Sequence, residues 1–142
     1  MEKIAIVYFS QTGNTETMAQ LIEEGIKSVG KEVEVFTISD FTTDMVENYD
    51  LIAIGSPATG TEQLDEYEFE PWYTDIKDKL TAKPVVLFGS HDWGDGEWMR
   101  TWHQDAVDAG INVVLDPLVV NLQPMDDEAD RTRDYGVKIA NL

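Results

Sequence analysis

Lys3-Ile4-Ala5-Ile6-Val7-Tyr8-Phe9-Ser10-Gln11-Thr12-Gly13-Asn14-Thr15 is the stretch that decides the fold. Its first half, Ile4–Phe9, is apolar without alternation, rich in β-formers and too short for an ordinary helix. That pattern predicts a strand buried on both faces, as strands of a parallel sheet are. The run breaks into Ser10–Thr15, six residues with three hydroxyls, one glycine and no charge. An amphipathic helix follows, with Met18, Ile22, Gly25, Ile26 and Val29 on one face. Strand, hydroxyl-rich turn and helix together aim several backbone N–H groups and a helix dipole at one point, which suits an anion. The expectation is one phosphate group held by Ser10, Gln11, Thr12, Gly13, Asn14 and Thr15. The alternative is an ordinary turn with Thr15 near the helix cap, since these residue types also favour turns and caps.

What the loop lacks narrows the ligand. A nucleoside triphosphate loop needs G-x-x-x-x-G-K-[ST], and there is no lysine here and only one glycine. The dinucleotide fingerprint G-x-G-x-x-G is also missing, so no backbone is cleared for a pyrophosphate. A single terminal phosphate remains.

Composition sets the class. The 142 residues suffice for one domain with a real core, residues 1–142, and 42% hydrophobic content is globular. The 28 acids against 10 bases give a formal charge of −18. This disfavours nucleic acid and anionic membrane as partners and favours a basic protein surface, although acidity that merely maintains solubility reads the same way. Without cysteine there is neither disulfide nor thiolate metal site, and no metal is expected. There is no signal-peptide pattern and no apolar run of membrane-spanning length, so a soluble, cytoplasmic protein is expected.

Taken in order, Lys31–Ile38 alternates like an edge strand, Asp40–Asn48 reads as a short helix, and Tyr49–Gly55 as a second buried strand. Then comes the loop Ser56-Pro57-Ala58-Thr59-Gly60-Thr61-Glu62, an acidic stretch to Glu70, and a helix from Pro71 to about Leu80. Pro84–Gly89 is a third buried strand, opening into Ser90-His91-Asp92-Trp93-Gly94-Asp95-Gly96. Glu97–Ala109 is a helix, Ile111–Leu122 a strand interrupted at Asp116-Pro117, and Met125–Asn141 a helix with an acidic start. The alternation predicts an α/β doubly wound, five-stranded parallel sheet with helices on both faces. In the order 2-1-3-4-5, the strands that carry the three unusual loops are neighbours. Ligands of such sheets sit at the carboxyl ends of the strands.

With all three loops in view, the chain resembles the flavodoxins, particularly the short-chain kind. Flavodoxin and its FMN are the usual illustration of the switch-point rule just applied. The resemblance spans essentially the whole chain. It rests on Ser10–Thr15, Gly55–Glu62, Glu68-Phe69-Glu70-Pro71, Phe88-Gly89-Ser90 and Trp93-Gly94-Asp95-Gly96-Glu97-Trp98-Met99. It implies non-covalent FMN and low-potential one-electron transfer between redox proteins. The implied cofactor-binding residues are Ser10–Thr15 around the phosphate, then Ser56, Pro57, Ala58, Thr59, Gly60, Thr61 and Glu62, and Ser90, His91, Asp92, Trp93 and Gly94. Trp93 looks like the outer aromatic stacked on the flavin, Gly60 like the glycine whose peptide turns over on reduction, and Glu62 like the acceptor for flavin N3–H. Thr59 stands where relatives place a larger apolar residue, and His91-Asp92 where they tend to have Tyr-Gly. Asp92 either faces solvent or sets a carboxylate near the pyrimidine edge and lowers the potential. His91 and His103 read as surface residues, Trp98 and Trp102 as packing, and Trp72 as a partly buried anchor.

Partners implied are redox proteins with basic docking surfaces, reductase or ferredoxin-like; Glu62, Asp65, Glu66, Glu68 and Glu70 either steer them to the exposed ring edge or form a solvated loop, and a monomer is expected. The competing function is an FMN-dependent NAD(P)H:quinone-type reductase of the same fold. No insertion supplies its second pocket, so an electron carrier, not an enzyme, is expected. A phospho-acceptor receiver domain shares the sheet order, but Ser10-Gln11 and Ser56-Pro57 stand where it needs acids.

Overall fold

The computed structural model describes residues 2–60 and 62–142. Strand β1, Lys3–Tyr8, has Ile4 to Val7 fully buried, so the unbroken apolar run lies in mid-sheet. Helix α1 is Asn14–Ser28, strand β2 is Glu32–Thr37 and strand β3 is Leu51–Gly55. Helix α2 spans Phe69–Leu80, β4 Pro84–His91 and α3 Glu97–Asp108. Two short strands, β5 (Asn112–Val113) and β6 (Leu118–Asn121), precede α4, Asp127–Ala140.

The sheet is parallel throughout, in the order β2-β1-β3-β4-β5, with β6 continuing beside β4. The expected order and the break at Asp116-Pro117 are both present. β5 pairs with Pro84 and Val85, and β6 pairs with Phe88 to His91. Proline lacks the N–H that a continuous ladder would need there.

Alternation splits the core into two layers. Ala5, Val7, Ile52, Ile54, Val85 and Leu87 face α2 and α3. That layer is aromatic, with Phe69 edge-on to Trp102 at 5.3 Å between centroids and stacked on Tyr73 at 6.0 Å. Ile4, Ile6, Leu51, Ala53, Val86 and Phe88 face α1 and α4 in a mainly aliphatic layer. There Gly25 and Gly136 meet where the helices cross. A Cβ on Gly25 would lie 2.1 Å from the Arg133 carbonyl oxygen, and one on Gly136 would lie 2.3 Å from that of Ile22.

Two of the differences from the sequence reading have a clear cause. Asp40–Asn48 forms two 3-10 turns, Ile38–Asp40 and Thr43–Asn48, parted at Phe41, whose buried side chain is anchored in the aromatic layer. Helix α2 begins at Phe69, two residues before Pro71, because the Asp65 carboxylate accepts from the Glu68 and Phe69 N–H groups at 2.7 and 3.0 Å. Proline is tolerated within this first turn, where its missing N–H costs nothing.

Candidate cofactor site at the carboxyl edge of the sheet

Three loops converge beyond the carboxyl ends of β1, β3 and β4. The first turns at Ser10. Its Oγ accepts from Gly13 N–H at 3.1 Å and from Glu16 N–H at 3.3 Å, which folds the loop against the start of α1. Asn14 and Thr15, read from sequence as loop, form the first turn of α1, with Gly13 at φ 96° as its cap. Thr15 is buried, and its hydroxyl bonds that of Ser90 on β4 at 2.9 Å. This bond ties the first loop to the third. Among the described residues, no carbonyl or side chain accepts from the N–H groups of Gln11, Thr12, Asn14 or Thr15. Four free donors at and just before the start of α1, with no lysine or arginine among the described residues lining the adjoining cavity, match the chemistry of a terminal phosphate.

The second loop leaves β3 through Ser56, which is fully buried, then Pro57, Ala58 and Thr59. Ala58 N–H donates to the Ser90 carbonyl at 2.9 Å. Thr59 and Gln63 exchange backbone bonds of 2.7 and 3.0 Å, closing a tight loop around Gly60 and Glu62. Thr61 lies outside the described residues. Gly60 has φ +54° and Glu62 +55°, conformations that cost a residue with a Cβ about 1–2 kcal/mol.

The third loop follows β4, which runs through Ser90 to His91, two residues beyond the expected end. The extra residues correct the reading of His91 as a surface side chain. Its ring lies half-buried on Trp98, with centroids 5.5 Å apart, and its Nδ1 is buried without a hydrogen-bond partner. His103 is likewise half-buried. Asp92, Trp93 and Gly94 are exposed, and Trp93 is 64% exposed, large for an indole. Trp98 and Trp102 are core residues, and Trp72 is half-buried with its indole N–H donating to the Phe41 carbonyl at 2.9 Å.

Glu62 does more than the sequence suggested. Its Oε1 accepts from Gly96 N–H and its Oε2 from Trp98 N–H, each at 3.0 Å, so it caps α3 from a distant loop. Burial pushes the carboxyl up, but these N–H groups and His91 nearby more than offset that, holding it below the ordinary 4.5. No sequence signal marks this role, because Glu62 and α3 are over thirty positions apart.

The loops enclose a cavity of about 200 Å³ between Gln11, Thr12 and Asn14 on one side, Pro57 to Gly60 beneath, and Ser90 to Asp92 opposite. A smaller one of about 80 Å³, lined by Ala58, Gly60, Glu62, Asp92 and Trp93, shares three of these residues with it. The two form one crevice from the α1 N-terminus to the exposed indole. These residues suit a phosphorylated planar cofactor: donors for an anion at one end, an aromatic face at the other. Another cavity of about 250 Å³ lies between α2 and α3, and its aromatic residues, Tyr73, Trp98 and Trp102, are buried in the core.

Known proteins place the chain. The family model described as Flavodoxin matches residues 6–135. The flavodoxin of Clostridium beijerinckii is 45% identical over 137 residues, covering 96% of this chain and 99% of that protein. The flavodoxin of Megasphaera elsdenii is 43% identical over 133 residues, covering 94% and 95%. The solution structure of two-electron reduced Megasphaera elsdenii flavodoxin superposes with a TM-score of 0.89 at 42% identity, covering 98% of this chain and 99% of that one. Matched by the family model over most of its length and by relatives over nearly all of it, the chain belongs to the flavodoxin family.

Proposed function

We propose that this flavodoxin carries single electrons at low potential between redox proteins, with FMN held non-covalently across the crevice described above. Bound FMN supplies the chemistry, taking up and giving up one electron at a time. The chain supplies position and environment. Ser10 to Thr15 receive the phosphate, with the free N–H groups at α1 as donors. Residues 56–62 and 90–94 take the ring, and the Trp93 indole covers its outer face. Glu62 stays ionised at neutral pH, since its carboxyl is held low. It can therefore fix the start of α3 and still offer lone pairs to the ring.

One observation carries this reading: the crevice is continuous, from four unclaimed N–H donors to an indole that is 64% exposed. Fluorescence titration with FMN tests it. Saturable quenching of both flavin and tryptophan at micromolar FMN is expected, and loss of the tryptophan component in Trp93→Phe. Unquenched flavin at those levels would overturn the assignment.

The chain acts as a carrier and not as an enzyme, and folds as one domain over residues 1–142. The support is that Trp93 stands 64% exposed among the described residues. Mixing the FMN-loaded protein with excess NADPH is expected to leave the flavin oxidised for minutes, and reduction within seconds would favour a reductase. Partners present basic surfaces. Glu66, Glu68, Glu70 and Asp92 are exposed, as are Tyr67 and Trp93, and the whole chain carries −18. Association rates should fall steeply with salt, because exposed charges further apart than about 8 Å are screened at physiological ionic strength. The chain works as a monomer, which sedimentation at micromolar concentration can check. Among the described residues, no helix is long and apolar enough to cross a membrane.

A further inference from the structure

Asn121 is the last residue of β6, outside all three loops, and its side chain reaches back to the β4–α3 loop. Its Nδ2 donates to the His91 carbonyl at 3.1 Å and to the Asp92 carbonyl at 2.6 Å. The backbone N–H of Leu122 adds a second bond to the His91 carbonyl at 2.8 Å. Leu122 reaches it from φ +60°, a conformation that disfavours a bulky side chain. Two successive carbonyls of the loop are thus drawn toward β6. On the other side, the N–H groups of Asp92, Trp93 and Gly94 take no partner among the described residues. A peptide plane whose oxygen is pinned one way must present its N–H the other way. The amide orientation is unambiguous, since only the NH₂ end can face two carbonyls.

We propose that Asn121 is a positioning residue for the cofactor. It holds the peptide planes on either side of Asp92 so that the loop offers N–H donors, not carbonyl oxygens, to the FMN ring, and it sets the Trp93 indole. This rests on the reading that residues 90–94 face FMN. Without Asn121, the two carbonyls are free to rotate, and a rotated peptide replaces a donor with an acceptor at the ring. The bonds lie at an exposed edge and support no core packing. Their loss therefore alters the loop and spares the fold.

The chemistry of the side chain gives a test that packing alone would not pass. Asn121→Asp keeps the shape but turns an ionised acceptor toward two carbonyls. Its FMN dissociation constant is expected to exceed wild type by tenfold or more at pH 7.5. The ratio to wild type should shrink as the pH falls towards about 4, the ordinary aspartate value, where a protonated carboxyl again donates. Asn121→Leu, which has no charge, should weaken FMN three- to tenfold at every pH, with the unfolding midpoint of the apoprotein within about 2 °C of wild type. Asn121→Gln should recover part of the loss. Both one-electron potentials of the loaded Leu variant should shift from wild type.

If Asn121→Asp and Asn121→Leu both bind FMN within twofold of wild type at all pH values, the assignment is wrong. A weakening equal in both and flat with pH would also overturn it, since the donor would then not matter. Trp93→Ala is the control for the underlying reading. If that variant binds FMN like wild type, the ring does not lie against residues 90–94, whatever Asn121 does.

Discussion

The two ends of the crevice are built on different plans. At the end proposed for the phosphate, the parts hold one another. Ser10 closes its own loop, and Thr15 and Ser90 bond each other below the surface, with 1% and 3% exposure. At the ring end, the parts sit in open solvent on unusual backbone. Gly60, Glu62 and Gly94 all have positive φ, and Trp93 projects from the surface. The difference separates affinity from adjustability. A preformed donor set binds without ordering cost, whereas a solvent-exposed loop on positive-φ backbone can change shape with the state of what it holds.

The strongest test of that separation removes two hydroxyls from the phosphate end. Ser10→Ala combined with Thr15→Val should raise the FMN dissociation constant about a hundredfold or more, since hydrogen bonds to charged groups contribute about 1.5–3 kcal/mol each. A change below tenfold in a fluorescence titration would mean that affinity resides in the ring loops instead.

The next test acts on the ring end through its link to α3. Glu62→Ala removes a carboxylate from the α3 N-terminus and should cost the apoprotein ~1–2 kcal/mol in urea unfolding, as loss of a helix cap does. The carboxyl pKa is lowered in the fold, so its stabilisation is complete above about the ordinary 4.5 and is lost as pH falls through the lowered value. The gap between wild type and Glu62→Gln should therefore close in acid and not in base.

Trp93→Ala should weaken FMN by only about 0.5–1.5 kcal/mol beyond lost contact area, and should leave apoprotein stability unchanged because the indole is exposed. The smallest effect is expected at Gly60→Ala. The nearest atom to an added Cβ is 3.7 Å away, so only the φ of +54° penalises it, by about 1 kcal/mol in stability. FMN affinity should move less than threefold. A larger loss would show the ring end to be as rigid as the phosphate end.

The fold was legible because its signals are local. The doubly apolar run Ile4–Val7 announces a central parallel strand, and Asp116-Pro117 announces a break in the last one. The loops were legible for the same reason, each being a cluster of small polar residues after such a run. What escaped the sequence depends on partners distant in the chain. Glu62 capping α3, Asn121 reaching two carbonyls, and His91 turning in onto Trp98 have no periodicity to betray them. The split of Asp40–Asn48 into two turns follows from the pull of Phe41 into the aromatic layer, a tertiary demand that local propensity does not contain.

The margins of the sheet have a consequence of their own. On one side β2 presents Glu32 and Glu34, and on the other Pro117 divides β5 from β6. Neither border offers a foreign strand a clean row of bonding groups, and edge charges and prolines are the usual defence against accretion. A protein that must touch one partner and then leave for another gains from having nowhere to stick except where the electron passes.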